Sequence, residues 1–276
     1  MVLKVLNSNL PMTEINKTNI SLIPKTNQPA RMTEFCPISL CNTTYKIVSK
    51  VLASRFKAII PNIISKNQSA FTPNCLITDN VLVAFEFMHY LNHKSEGKGN
   101  YMSIKLDMSK AFDRVEWSFI KGVMEKLGFV EKWIDPIMNC VSSVSYLVLI
   151  NGEVCGNISP SRGIRQGDSL SPCLFLLCAE GFSALIHETV RNQQINGISI
   201  CRGCPLITHL FFTDDSLLFY KAKEQECHTL VTILNRYEEA SGQKINIDKS
   251  SVFFSLNTPQ EFKESTLNIL GPMQDS

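Results

Sequence analysis

The chain has 276 residues, 44% of them hydrophobic and 19% charged, with a formal net charge of +2. That length allows one large core or two lobes, and that balance excludes a disordered or strongly polyionic chain. Ten cysteines are scattered without the spacing of a disulfide scaffold.

Taken in chain order, the first forty residues read as irregular, apart from a short apolar strand at Ile20–Ile23 stopped by Pro24. Thr43 to about Ile60 reads as a helix capped by Asn42 or Thr43 and stopped by Pro61. Its Ile47, Val48, Val51, Leu52 and Ile59 are placed to face a core, and Lys46, Lys50, Ser54 and Lys57 to face away. A second helix is expected from about Asp79 to His93, then a polar loop to Asn100 and a strand ending near Asp107. Helix is expected from Phe112 to Leu127, with Gly128 as terminator, and again from about Glu131. Asn151-Gly152 predicts a hairpin turn after Ser145–Ile150. A loop at Arg162–Asp168 leads into a helix over Ser171 to Asn192. An apolar hairpin follows around Asp214-Asp215, then a helix over Glu224–Ala240 and strands near Lys244–Ile247 and Val252–Phe254. This order predicts an α+β domain, its antiparallel sheet covered by helices on one side.

Smaller signals stay bland. Cys201-Arg202-Gly203-Cys204 is a lone CxxC, read as a hairpin turn. His89 and His93 share a helix face without a third ligand, which suits surface histidines. No signal peptide opens the chain and no apolar run is long enough to span a bilayer, so an intracellular setting without a membrane partner is expected, with the compartment open. Between Lys17 and Lys66 stand eight basic residues, Lys25, Arg31, Lys46, Lys50 and Lys57 among them, against the single acid Glu34. Such a lobe suits a phosphate backbone, or is a solvated helix face.

The chemistry concentrates in two segments. Asp107 lies in Ile104–Asp113, and Asp214 and Asp215 lie in the apolar stretch Leu210–Phe219. Carboxylates at the tip of an apolar hairpin repel each other and are costly to desolvate. Divalent cations remove both costs, in the arrangement that two Mg²⁺ ions need for in-line phosphoryl transfer.

Several motifs in one order then carry a resemblance. They are Leu22-Ile23-Pro24-Lys25, Pro37–Asn42, Gln68-Ser69-Ala70-Phe71, Lys105-Leu106-Asp107 through Trp117, Arg162–Asp168, Phe212–Asp215 and Ser241–Asn246. The chain, from about Asn19 to Phe254, resembles the reverse transcriptase domain of LINE-type (non-LTR) retrotransposons of the plant sort. The resemblance implies a right-hand polymerase with fingers and palm, the thumb missing. The fingers would take residues 1–100 and a hairpin insertion at 119–160, and the palm 101–118 and 161–256, before a tail at 257–276 truncated ahead of the thumb. It implies an RNA template, a DNA primer and deoxynucleoside triphosphates, with two Mg²⁺ or Mn²⁺ ions.

Residue by residue, Asp107 and Asp214 would ligate both ions, Asp215 would be a weaker ligand or a solvated turn residue, and the Met108 carbonyl would reach one ion. Phe112 would bar a 2′-hydroxyl, or be an ordinary core phenylalanine. Gln166 and Gly167 would pack on the nascent base pair, and Lys249 would lie near pyrophosphate or be a mobile surface lysine. Cys36 and Cys75 stand where arginine is usual, Ser169 replaces proline, and Thr213 replaces alanine. Each is explained by one transition, as in a decaying transposon copy. Thr213 would place a β-branched side chain in a turn that calls for positive φ. The competing readings are a catalytically inactive remnant or nucleic-acid-binding module on the same fold, and a related group II intron maturase.

Overall fold

The computed structural model describes residues 2–8, 12–72, 76–96, 99–150, 152–213 and 215–275. Its helices are α1 (Val2–Ser8), α2 (Thr43–Ile63), α3 (Ile77–His93), α4 (Trp117–Lys126), α5 (Glu131–Ser142), α6 (Ser171–Arg191), α7 (Glu224–Ser241) and α8 (Gln260–Leu270). Its strands are β1 (Lys17–Pro24), β2 (Phe35–Cys41), β3 (Tyr101–Leu106), β4 (Ser145–Ile150), β5 (Glu153–Ile158), β6 (His209–Phe212), β7 (Asp215–Lys221), β8 (Ser251–Phe254) and β9 (Gln274–Asp275). They divide into two compact units, Met1–Ile63 with Phe112–Cys178 and Ile64–Ala111 with Ala179–Ser276. These breaks differ from the sequence boundaries at 100, 118, 160 and 256. Residues 64–100 group with the second unit because α3 packs Phe87 and Leu91 against Leu210 and Phe219 of its sheet.

The first unit holds a four-stranded sheet in the order β2-β1-β4-β5. β1 contains the expected strand at Ile20–Ile23 and extends it to Lys17–Pro24, whereas β2 lies in the stretch expected to be irregular. β1 pairs with β2 antiparallel from Thr18↔Cys41 to Pro24↔Phe35, and with β4 in parallel over Lys17–Ile20. Pro24 falls beyond the β4 pairing, and Pro37 lies on the edge strand β2. Neither therefore removes a donor that a central ladder needs. Asn42 caps α2, its Oδ1 accepting from the Thr44 amide at 2.9 Å. Pro61 lies inside α2 rather than ending it, since the helix closes only two residues later.

The buried stripe of α2 is Tyr45, Val48, Leu52, Phe56 and Ile60, and Ile47 is half exposed. Expected core positions thus shift because the two aromatics command the interior. Phe56 packs on Phe129 and Trp133 at centroid distances of 5.6 and 5.9 Å. Helix α4 starts at Trp117, later than expected, because Ser109–Arg114 form turns with Lys110 at φ +52°.

The second unit holds a five-stranded sheet in the order β6-β7-β3-β8-β9. The first three pairings are antiparallel as expected, and β8 with β9 is parallel. Helix α8 supplies the crossover that a parallel pair requires, so the expected tail contributes to this sheet. Residues 244–247 form no strand. Ile245 makes an isolated bridge to Met108, and a 3₁₀ turn covers Ile247–Lys249.

Helices cover both faces of this sheet, not one. Leu210 of β6 faces α3, whereas Phe211 stacks on Phe182 of α6, which also stacks on Tyr237 of α7. The unbroken burial of His209, Leu210 and Phe211 carries that signature. Among the described residues, α6 is the one helix long and apolar enough to cross a membrane, although no single uninterrupted run announced it. Over half of its most apolar window is buried, as in a core helix. Ile198 and Ile207 form the bridge that sets the predicted turn at 201–204, and there Cys201 and Cys204 are joined as a disulfide that the cysteine spacing did not announce.

His209 is fully buried. Its Nε2 pairs with Ser183 Oγ at 2.9 Å and its Nδ1 with Thr208 Oγ1 at 2.8 Å. Burial, and then the neighbouring His187, lower its pKa from 6.5 to about 3. The folded state therefore prefers the neutral ring. Its contribution is complete above the unfolded pKa of 6.5 and is lost as pH falls toward 3. Urea unfolding should show stability dropping by about 2 kcal/mol between pH 6.5 and 5 from this group, and His209→Gln should flatten that slope.

Candidate active site

In the second unit, β3 is the central strand. It pairs with β7 from Tyr101↔Lys221 to Leu106↔Ser216. One step beyond the last pair, on each strand, stand Asp107 and Asp215. Opposed residues of an antiparallel ladder share a face, so the register sets these two carboxylates side by side at the strand ends. Asp215 also pairs with Phe212 across the β6–β7 hairpin. Asp214 lies outside the described residues, as does Cys75.

Asp107 is held from several sides. Its Oδ2 accepts from Asn246 Nδ2 at 3.1 Å, its carbonyl from the Asn246 amide at 2.9 Å, and its own amide donates to Ser250 Oγ at 3.2 Å. Ser250 Oγ in turn donates to the Asn246 carbonyl at 2.8 Å. The Met108–Ile245 bridge runs through the flanking groups, Asp107 C=O and Ser109 N–H. It therefore does not consume the Met108 carbonyl. Asp215 is half exposed, with Lys105 Nζ 3.7 Å from its Oδ1. Lys105 and Asn246 lie inside the polymerase-like motifs, but no local signal in the sequence marks them, or Ser250, as partners of the aspartates. Lys249 is exposed. Among the described residues no group of three or more His, Cys, Asp or Glu could hold a metal. The two described carboxylates and the Met108 carbonyl are hard oxygen donors of the kind Mg²⁺ takes.

The hairpin turn carries strain. Thr213 has φ +56°, the left-handed region anticipated from its position.

In the first unit, Phe112 is half buried and stacks on Phe175 at 4.9 Å with 6° between the rings. The loop at 162–168 is pinned to the segment after it. Gly163 N–H donates to Val115 O and Ile164 N–H to Phe112 O, both at 2.8 Å, and Trp117 Nε1 donates to Gly163 O at 2.8 Å. Gly163 has φ +90°, and a Cβ there would stand 2.7 Å from Asp113 O. Gly167 also adopts positive φ, at +89°. Gln166 is half buried. Its Oε1 accepts from Cys36 Sγ at 3.4 Å, and its carbonyl accepts from the Ser39 amide at 3.4 Å. A position singled out for its unusual cysteine thus touches a predicted site residue. Lys25, Arg31, Lys46, Lys50 and Lys57 are all exposed, the last three on one face of α2.

Beneath Gln166 lies a buried charged network that no local sequence signal marks. Arg165 and Asp168 are almost fully buried and stand 3.4 Å apart. The guanidinium donates to Asn16, to Thr18 Oγ1 at 3.2 Å and to Cys140 O at 2.9 Å, and lies 3.9 Å over the Tyr45 ring. Tyr45 donates to Asp168 at 2.7 Å. Burial works against the Arg165 charge, but Tyr45 and then Asp168 outweigh it and the pKa is raised. Burial, with Asp168 nearby, pushes the Cys140 thiol up to about 12.

The profile of the reverse transcriptase (RNA-dependent DNA polymerase) family matches residues 23–273, and the chain belongs to that family. Among relatives, the Transposon TX1 uncharacterized 149 kDa protein of Xenopus laevis is 28% identical over 237 residues, 84% of this chain and 17% of that protein. The Pol polyprotein of the type-1 retrotransposable element R2 of Popillia japonica is 27% identical over 232 residues, 83% of this chain and 31% of that protein. This is a reverse transcriptase domain of the non-LTR retrotransposon type. It spans under a third of the length of these relatives. In fold it matches telomerase from Candida tropicalis, solved with a fragment of telomeric RNA, at a TM-score of 0.59 and 14% identity, over 87% of this chain and 41% of that one. The fingers-and-palm fold implied by the motifs is thereby met.

Two stability outcomes follow. Arg165→Met strands the buried Asp168 carboxylate and should cost about 3–5 kcal/mol in chemical denaturation. Thr213→Asn keeps a short side chain in a conformation asparagine tolerates. It should gain about 1 kcal/mol, read as a higher denaturant midpoint at unchanged slope.

Proposed function

We propose that the chain is an RNA-directed DNA polymerase domain that extends a DNA primer on an RNA template by two-metal nucleotidyl transfer. The observation that supports this most is the β3–β7 register, which sets Asp107 and Asp215 in opposed positions beside the hairpin that carries Asp214. Asp107 and Asp214, with Asp215 and the Met108 carbonyl, would hold two Mg²⁺ or Mn²⁺ ions. Bound there, the ions would make the primer 3′-hydroxyl a better nucleophile and offset charge on the departing pyrophosphate.

The chain's own groups do the rest. Asn246 fixes the Asp107 carboxylate and Ser250 its backbone amide before substrate arrives, which spares reorganisation during reaction. The 3′-oxygen forms its bond to the α-phosphorus of a deoxynucleoside triphosphate as pyrophosphate leaves. Phe112, braced by Phe175, selects against a 2′-hydroxyl. Gln166 and Gly167 meet the nascent pair, Lys249 lies near pyrophosphate, and Lys25, Arg31, Lys46, Lys50 and Lys57 bind phosphates. In this reading the first unit supplies the fingers and the second the palm.

The second reading is a remnant on the same fold with little or no activity. It is favoured by Cys36, whose thiol occupies Gln166 Oε1 where an arginine would offer a charged fork, and by the strained Thr213. Primer extension on an RNA template with Mg²⁺ or Mn²⁺ separates the two. Extension should be measurable, fall at least about 10²-fold in Asp107→Asn, and rise in Cys36→Arg. Phe112→Ala should admit ribonucleotides. No extension by either the chain or Cys36→Arg would leave the remnant, and equal activity in Asp107→Asn would remove the two-metal reading.

A further inference from the structure

We propose that Lys105 is the resident counter-ion of Asp215, an ammonium group that neutralises this carboxylate in the cation-free protein and yields it when a divalent cation binds. The inference rests on the polymerase reading above. It begins with register. Lys105 pairs with Leu217, and Asp215 lies two positions along the same strand, on the same face and diagonally across the ladder. The 3.7 Å approach of Lys105 Nζ to Asp215 Oδ1 uses that diagonal.

Among the described residues, Asp215 is the acid paired with Lys105. Lys105 and Asp215 line a cavity of about 340 Å³ whose other walls include Val81, Ala84, Leu210, Phe212 and Leu217. These side chains offer no anion, so Asp215 is the anionic partner within that lining.

The two described carboxylates are compensated in different ways. Asp107 is held by the amide of Asn246, a neutral donor occupying Oδ2 that can stay while another oxygen meets a cation. Asp215 is held by a full positive charge that competes with a cation for the same carboxylate. The Lys105 side chain turns to water as the cation–carboxylate bond forms. Both side chains are about half exposed, so water already screens the pair and its hold is modest. Asp107 is then a standing ligand and Asp215 a conditional one.

The experiment is Mn²⁺ binding to the full chain, read by electron paramagnetic resonance without nucleotide or primer. Lys105→Met should bind Mn²⁺ about two- to fivefold more tightly, and Lys105→Arg should return affinity to that of the unaltered chain. In an Asp215→Asn background the Lys105→Met gain should vanish. A gain of full size in that background would mark Lys105 as a general repeller of cations and overturn the pairing. Unchanged or weaker binding in Lys105→Met would overturn it as well. Asp107→Asn separates this from the underlying reading. If the unaltered chain binds and Asp107→Asn does not, the metal site stands whatever Lys105 does. If both bind alike, or neither binds, the metal site itself falls and the inference with it.

Discussion

The pairing of β3 with β7 is the constraint on which the second unit depends. Strand β3 is flanked on both sides, with Met102, Ile104 and Leu106 fully buried. A strand in that position cannot slip by one residue without turning those three side chains to the opposite face. Hydrophobic burial therefore fixes the register, and the register fixes where Asp107 meets Asp215. The site's geometry is maintained by side chains that take no part in its chemistry. This separation lets carboxylates sit at the end of an apolar strand. Their repulsion is borne by a ladder with far more burial at stake than the polar tip can cost.

The first unit solves a similar problem by other means. Its loop at 162–168 has little apolar side chain with which to hold itself. It is fixed instead by Arg165 and Asp168, whose polar partners come from the chain between Asn16 and Cys140. A buried ion pair is weak evidence for stability, because desolvation consumes much of its Coulombic gain. Its use here is geometric. Four hydrogen-bonding groups and one aromatic face converge on two side chains, and the backbone between them, Gln166 and Gly167, has nowhere else to lie. Removing one partner would leave the other uncompensated, which makes the arrangement all-or-none.

Much of this was legible in the sequence where a signal is local. Asn42 before an apolar-periodic run gave the start of α2, Gly128 gave a helix end with positive φ, and Gly152 of the expected turn lies between two paired strands, Asn151 being outside the described residues. Thr213 was legible too, since it stands in a tight hairpin turn, and such turns call for positive φ. What failed was non-local. β1 was legible only over Ile20–Ile23, and β2 looked irregular, because the order of the sheet alone shows that Pro24 and Pro37 leave no ladder donor missing. The two-sided cover of the second sheet was hidden because burial on both faces erases the alternation that marks a half-buried strand. Arg165 and Asp168 looked like ordinary members of a loop, since sequence carries no record of which charges are buried. The partners of the aspartates escaped for the same reason. Asn246 lies 139 residues from Asp107, and no period links them.

The strain at Thr213 and the thiol at Cys36 bear on one question, how far a polymerase fold outlasts the details of its site. Neither is disruptive where it stands. The left-handed turn is closed by the Phe212↔Asp215 pair, and the ladder behind it is buried well enough to carry a cost of order 1–3 kcal/mol. Cys36 is half buried on an edge strand and finds a weak acceptor in Gln166. Cys36 keeps its pairing with Ile23 outside the buried core, and Thr213 stands between β6 and β7, so the fold tolerates both. Folding tests burial and hydrogen-bond satisfaction, whereas nucleotidyl transfer also tests charge and sub-ångström placement at these same positions. A chain can therefore meet the first test in full while its performance in the second is set by a few exposed or half-buried side chains. In this molecule those side chains are Cys36, Lys105 and Thr213, and each lies beside a residue that the chemistry would use.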